Sequence, residues 1–201
     1  FMSDMSLNEN LSSTPQDRRE LMDLVERMQS AFTTIAKSKV PTIALAHGFC
    51  IGGATSLVSA CDIRLATKDA KFSIGETKLG LVADVGVIQR MPKIVSSGDM
   101  NELALTGRIF DGEHAEKIRF VSKVYENSDD LFEAGEKLAN EISSNSKRIV
   151  QATKEALEKS SNLTVDQGLE YAKLWSTSFL VSEDLREGVM AFLEKRDPKF
   201  N

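Results

Sequence analysis

Glu76 and Asp84 stand eight positions apart on either side of a glycine-containing loop, and both follow the junction Cys50-Ile51-Gly52-Gly53. Two carboxylates beside a glycine pair offer one group to take a proton from carbon, another to return it, and backbone N–H donors for the enolate between. Gly52-Gly53 stands where a strand hands over to a helix, and the free N–H groups and helix dipole there favour an anion. The same pair also reads as a plain tight turn. Glu76 closes the alternating stretch Phe72-Ser73-Ile74-Gly75, at a strand end where site residues gather; a solvated loop carboxylate is its other reading. Asp84 lies in Leu81-Val82-Ala83-Asp84-Val85-Gly86, an otherwise apolar run. A carboxylate there must find partners or shift its pKa upward, the property a proton shuttle uses. Its alternative is the N-cap of the helix that follows.

Other chemistries drop out. The glycine segment has neither the Gly-Lys-Ser/Thr ending of a phosphate loop nor the three-glycine spacing of a dinucleotide fold. His47, beside Gly48 in an apolar segment, reads as a hydrogen-bonded structural residue, and His114 as a helix-surface residue. Two separated histidines and two isolated cysteines give no metal-ligand spacing. No Ser nucleophile elbow or Ser–His–Asp set is present.

These residues need elements to position them. Apolar residues from Leu21 to Ile35 recur at three and four positions and predict an amphipathic helix over 17–37, ended by Val40-Pro41. Residues 42–46 make a short apolar strand. A helix over 54–61, strands over 62–67 and 71–74, and a short helix over 87–91 closed by Pro92 follow. Helices over 98–106 and 111–118 and a strand over 120–125 complete an α/β core of residues 1–126. From 127 to 201 the pattern turns all-helical; Thr164-Val165-Asp166-Gln167 has the form of a capping box. The polar stretch over 3–16 reads as a mobile loop or lid, and Phe1-Met2 as a processed or cloned start.

Composition bounds the partners. The 201 residues are 41% hydrophobic, enough for a sizeable core, with a formal charge of −5 and no basic stripe; nucleic acid is not an expected partner. No apolar run approaches the ~20 residues of a membrane span. Cys50 and Cys61 lie among apolar residues and read as buried free thiols, which fits a reducing compartment. No signal peptide or Ser-Lys-Leu address is read.

Three blocks carry a resemblance: PTIALAHGFCIGGATSLVSACDIRLATKDAKFSIGETKLGLVADVGVIQRMPKIV, ELALTGRIFDGEHAEKIRFVSKVY, and SEDLREGVMAFLEKRDPKF. In that order they resemble the crotonase, or enoyl-CoA hydratase/isomerase, superfamily over nearly the whole chain. Gly80 to Arg90 looks most like the Δ3,5-Δ2,4-dienoyl-CoA isomerases. The resemblance implies a spiral of ββα turns with a C-terminal helical trimerisation region, as trimers or hexamers, acting on acyl-CoA thioesters with no separate cofactor and no metal. It implies a cytoplasmic location in a bacterium and a mitochondrial one in a eukaryote. It places an oxyanion N–H on Gly53, beside Gly52, and catalytic carboxylates on Glu76 and Asp84. Lys195 matches a C-terminal lysine that in hydratases reaches CoA; taken alone it reads as helix surface.

Two departures qualify it. Three residues after Gly53, where hydratases have Glu and dienoyl isomerases Asp, stands Ser56, a substrate-binding candidate whose hydroxyl is a poor base at neutral pH. Water addition by two glutamates is therefore not expected, whereas Glu76 and Asp84 suffice for isomerisation. Family members also carry about a further quarter of chain before this point, with a segment giving the second oxyanion N–H, and Phe1 falls just after it. Half of the oxyanion hole is then expected to be missing, and one lost donor typically costs ~10²–10³ in turnover. Three functions stay open: a dienoyl-CoA isomerase, a 2-enoyl-CoA hydratase using Glu76, and an inactive acyl-CoA-binding or assembly subunit.

Overall fold

A computed structural model describes residues 14–200. The loop expected over 3–16 lies outside the described residues as far as residue 13, and Thr14 to Gln16 belong instead to the start of a helix. That helix, α1 (Pro15–Ala36), is opened by a capping box: Thr14 Oγ1 accepts from the Asp17 N–H at 3.2 Å and the Asp17 carboxylate accepts from the Thr14 N–H at 3.1 Å. Pro15 sits at the first helical position, where its missing N–H costs nothing.

Next come β1 (Ile43–Ala46), β2 (Phe49–Ile51) and α2 (Gly53–Ala60), then β3 (Ile63–Thr67), β4 (Lys71–Ser73) and a 3₁₀ turn (Gly75–Leu79). The first strand of each pair joins one sheet and the second joins another. β1 and β3 pair in parallel, Ile43 opposite Ile63, and β3 pairs in parallel with β6 (Lys123–Tyr125). β2 and β4 also pair in parallel, Ile51 opposite Ser73, and β4 pairs antiparallel with β5 (Phe110–Asp111). Two successive strand–strand turns of a spiral are thus stacked one on the next, as the expected α/β spiral core requires. β2 and β5, three and two residues long, were not among the expected strands.

The helices α3 (Val87–Arg90), α4 (Ser97–Thr106) and α5 (Gly112–Lys117) complete this part of the chain. Its core centres on Phe72, Phe110 and Phe120; Phe72 stacks on Phe110 and meets Phe120 edge-on, each at 5.5 Å between ring centroids. Truncating such a buried ring typically costs about 3–5 kcal/mol. Val87, Met91 and Leu103 are buried with it.

The rest is helical: α6 (Ser128–Ser143), α7 (Lys147–Ser160), α8 (Val165–Thr177) and α9 (Glu183–Glu194). The chain forms two compact units, one of residues up to 38 and 42–135, the other of 39–41 and 136 onward. Their boundary falls within α6 rather than before it. In the helical unit, the Thr164–Gln167 capping box opens α8, and Trp175 Nε1 donates to Ala152 O of α7 at 2.9 Å. Ser146 Oγ, the α7 N-cap, donates to Asp184 at 2.6 Å and so ties α7 to α9. Beyond α9, Arg196 grips Glu187 through Nη1 (2.6 Å) and Nη2 (3.0 Å), and the Lys199 N–H donates to the same carboxylate at 2.7 Å. No helix among the described residues is long and apolar enough to cross a membrane.

Candidate active site

Because β2 and β4 run parallel and in register, their C-terminal ends emerge side by side. One end delivers Gly52 and Gly53, the other Gly75 and Glu76. The Gly52 N–H donates to Ser73 O at 2.9 Å, continuing the ladder past the last strand residues. Gly52 then turns the chain into α2 with φ 57° and ψ −117°, a combination a side chain strongly disfavours. Thr55 Oγ1, buried one turn along, sits between the carbonyl oxygens of Cys50 and Ser73 at 2.5 and 3.0 Å. It locks the end of β2, the end of β4 and the first turn of α2 together. Gly53 occupies the first helical position, where its N–H has no intrahelical acceptor.

Glu76 is buried, with 6% of its surface exposed. A methyl group on Gly52 would come within 3.4 Å of its Oε1, so the carboxylate faces the glycine corner. Its Oε2 is fully buried without a protein partner among the described residues. The turn that carries it is pinned to α4: Thr77 Oγ1 donates to Ala104 O at 2.7 Å and Ser73 Oγ to Gly107 O at 3.0 Å. The open solvated loop that was the alternative for Glu76 is not what the chain forms.

Ser56 is wholly buried in α2, and its N–H donates to Gly52 O at 3.1 Å. Its Oγ also lacks a protein partner among the described residues. Buried polar atoms without partners are uncommon and tend to mark strain or a site. Ser56 Oγ and Glu76 Oε2, two of the four such atoms among the described residues, both belong to residues that touch Gly52.

Asp84 departs from expectation. The run 81–86 is apolar in sequence but forms neither helix nor strand, and burial alternates over 82–85: Ala83 (6%) and Val85 (5%) are buried, Val82 (78%) and Asp84 exposed. Asp84 is therefore exposed, not enclosed in an apolar setting. Nor does it cap α3, whose N-cap is Gly86. Its segment is joined to Glu76 by a hydrogen bond from the Leu81 N–H to Glu76 O at 3.0 Å.

Lys195 belongs to the helical unit, where it ends α9 in the left-handed region and its N–H reaches back to Ala191 and Phe192. His47 is exposed and meets Phe132 edge-on at 5.8 Å, without the hydrogen bond expected of it among the described residues. His114 is half-buried against Phe110, because α5 packs its first turn onto the core. Burial pushes the Cys50 thiol up, while Cys61, just past the end of α2, is only half-buried and its Sγ donates to Leu57 O at 3.7 Å. The residues that position the site, Thr55 and Thr77, were not singled out from sequence, since a threonine that braces two carbonyls looks like any other.

A sequence model described as enoyl-CoA hydratase/isomerase matches residues 6–201. The chain is 47% identical over 188 residues to a mitochondrial Delta(3,5)-Delta(2,4)-dienoyl-CoA isomerase of Dictyostelium discoideum, a match covering 94% of this chain and 64% of that one. It is 42% identical over 193 residues to a peroxisomal protein of the same name from Arabidopsis thaliana, covering 94% and 69%. The fold is similar to the crystal structure of an enoyl-CoA hydratase from Bacillus anthracis, with TM-score 0.85, 28% identity, and 90% and 70% coverage. The chain thus spans between 55% and 74% of the length of the curated relatives it matches.

Proposed function

The chain belongs to the enoyl-CoA hydratase/isomerase family, and on that premise we propose that it acts as an acyl-CoA isomerase of the dienoyl-CoA isomerase type. Its substrate is a 3,5-dienoyl-CoA thioester, its product the 2,4-dienoyl isomer, and its setting the β-oxidation of unsaturated fatty acids. One observation carries most of the weight: the buried Glu76 carboxylate turns towards the Gly52-Gly53 corner, with one oxygen left without a protein partner.

The reaction needs one proton removed at C2 and one added at C6, with the double bonds moving between and the CoA ester intact. Glu76 and Asp84 form the acid/base pair. The dienolate oxygen that carries the charge in between is held by the Gly53 N–H at the start of α2. Gly52 lets the thioester approach the backbone, Ser56 is a substrate-binding candidate buried in the first turn of α2, and Lys195, the match to the family's C-terminal lysine, is assigned to CoA. CoA is part of the substrate, so no separate cofactor or metal enters.

The sequences named as dienoyl-CoA isomerases, at 47% and 42% identity, favour this over water addition. Ser56 argues the same way, because its hydroxyl cannot replace a carboxylate base at neutral pH. That same serine supports the second reading, an acyl-CoA-binding subunit without turnover. The exposed apolar side chains of α8 and α9, Phe192 at 82% and Leu169 among them, are consistent with a homotrimer or hexamer. The proposed location is mitochondrial in a eukaryote and cytoplasmic in a bacterium.

The test is to supply the purified protein with 3,5-dienoyl-CoA and 2-enoyl-CoA in parallel and follow both absorbances. A rising 2,4-diene signal supports the isomerase. Loss of the enoyl signal alone would point to the hydratase, and binding of CoA esters without either change to the inactive subunit.

A further inference from the structure

The segment from Gly80 to Gly86 carries Asp84 but has no helix or strand of its own. It is held from outside at two consecutive carbonyls. Gln29 Nε2, on α1, donates to Asp84 O at 2.6 Å. Arg90 Nη1, on α3, donates to Val85 O at 3.3 Å, and its Nη2 donates to Thr33 Oγ1 at 3.1 Å. Gln29 and Thr33 are four residues apart and so share one face of α1. Phe32, between them, is buried with Val85 and Ala60. Gly86, where Arg90 folds back, stands at φ 115°, a conformation that side chains rarely adopt.

Two anchored carbonyls fix the peptide planes on either side of Val85. They leave the outward-pointing Asp84 side chain little freedom beyond its own two torsions. Without the Gln29 bond, the plane that follows Asp84 is free to rotate and carries the carboxylate with it. We infer that Gln29 is a positioning residue for Asp84: α1, which contributes no reacting group, sets where that carboxylate stands. The inference rests on the acid/base role proposed for Asp84. A carboxylate displaced by about 1 Å can lose on the order of 10² in rate, so the expected signature is a loss in kcat with KM nearly unchanged.

The experiment compares wild type, Gln29→Ala, Asp84→Asn and the double variant, by turnover of 3,5-dienoyl-CoA and by amide hydrogen exchange. In Gln29→Ala, exchange over 81–86 rises while that of β1 to β4 does not, kcat falls roughly ten- to a hundredfold, and KM stays within about twofold. Adding Gln29→Ala to Asp84→Asn causes no further loss, because Gln29 acts only through Asp84. Unchanged exchange over 81–86, unchanged kcat, or an equal further loss in the Asp84→Asn background each overturns the inference. If Asp84→Asn turns over like wild type, or wild type does not turn over at all, the role of Asp84 fails and this inference falls with it. That outcome is distinct from an active, Asp84-dependent enzyme indifferent to Gln29.

Discussion

Gly52 and Glu76 face each other across the ends of two parallel strands, so closely that a single methyl on Gly52 would stand 3.4 Å from Glu76 Oε1. The contact itself is ordinary; the backbone angles are not. Gly52→Ala is expected to lose about 1–3 kcal/mol of stability from its positive φ, and turnover because relief of that strain shifts the corner that presents the Gly53 N–H. Denaturant unfolding and steady-state kinetics read the two effects separately. An Ala variant as stable as wild type would show that the corner is not strained.

Asp84→Asn keeps the shape of an exposed side chain and removes its ability to exchange a proton. The fold should be unaffected, and turnover of 3,5-dienoyl-CoA should fall by about 10²–10⁴. Circular dichroism and a diene absorbance assay suffice. Retained turnover would reject Asp84 as a proton-transfer group.

Ser56→Ala removes a buried hydroxyl that has no protein partner among the described residues. Stability should hold or rise by up to about 1 kcal/mol, since no protein hydrogen bond is lost. With Glu76 and Asp84 moving the protons, turnover should stay within about threefold of wild type, far from the 10²–10⁴ of a lost acid or base. A loss of two orders of magnitude would make the hydroxyl part of the chemistry.

Glu187 provides a pH test in the helical unit. The hydrogen bonds from Arg196, then from the Lys199 N–H, hold its carboxyl at about 2 against an ordinary 4.5. A carboxylate depressed in the folded state contributes stability fully above its unfolded value, and that contribution is lost as pH falls through the folded value. The segment 196–199 should therefore stay attached at neutral pH and come loose between about pH 4.5 and 2. Resonances of that segment, followed by NMR against pH, should move in this window. They should already be detached at neutral pH in Glu187→Gln, and an unchanged Gln variant would discount the pair.

The glycine junction and Glu76 stood out in sequence, but their arrangement was only partly legible. The strand-to-helix junction at Gly52 and the Thr164 capping box are local signals, and local hydrogen bonds realise them. The meeting of Gly52 with Glu76 depends on β2 pairing with β4, and a three-residue strand such as Phe49–Ile51 is too short to show a period. Asp84 was misplaced for a related reason. An apolar run looks uniformly buried, but along this irregular segment burial alternates from residue to residue. The helix start at Thr14 did have a local signal, the Thr-Pro-Gln-Asp spacing, obscured by the polar stretch before it. The bond from Gln29 to a carbonyl 55 residues away leaves no trace in either neighbourhood.

Both bonds that pin the Glu76 turn to the end of α4 end on backbone carbonyls, those of Ala104 and Gly107. Carbonyls are indifferent to the side chain beside them, so the site should tolerate substitutions at exposed α4 positions such as Leu105. Helix length is another matter. One residue inserted into α4 advances everything after it by about 1.5 Å and a hundred degrees, carrying both acceptors away from Ser73 and Thr77. Away from the buried Met100 and Leu103, variation along this helix should thus be free in letter and fixed in count, which a library mixing point changes with single-residue insertions and deletions across 97–106 would reveal.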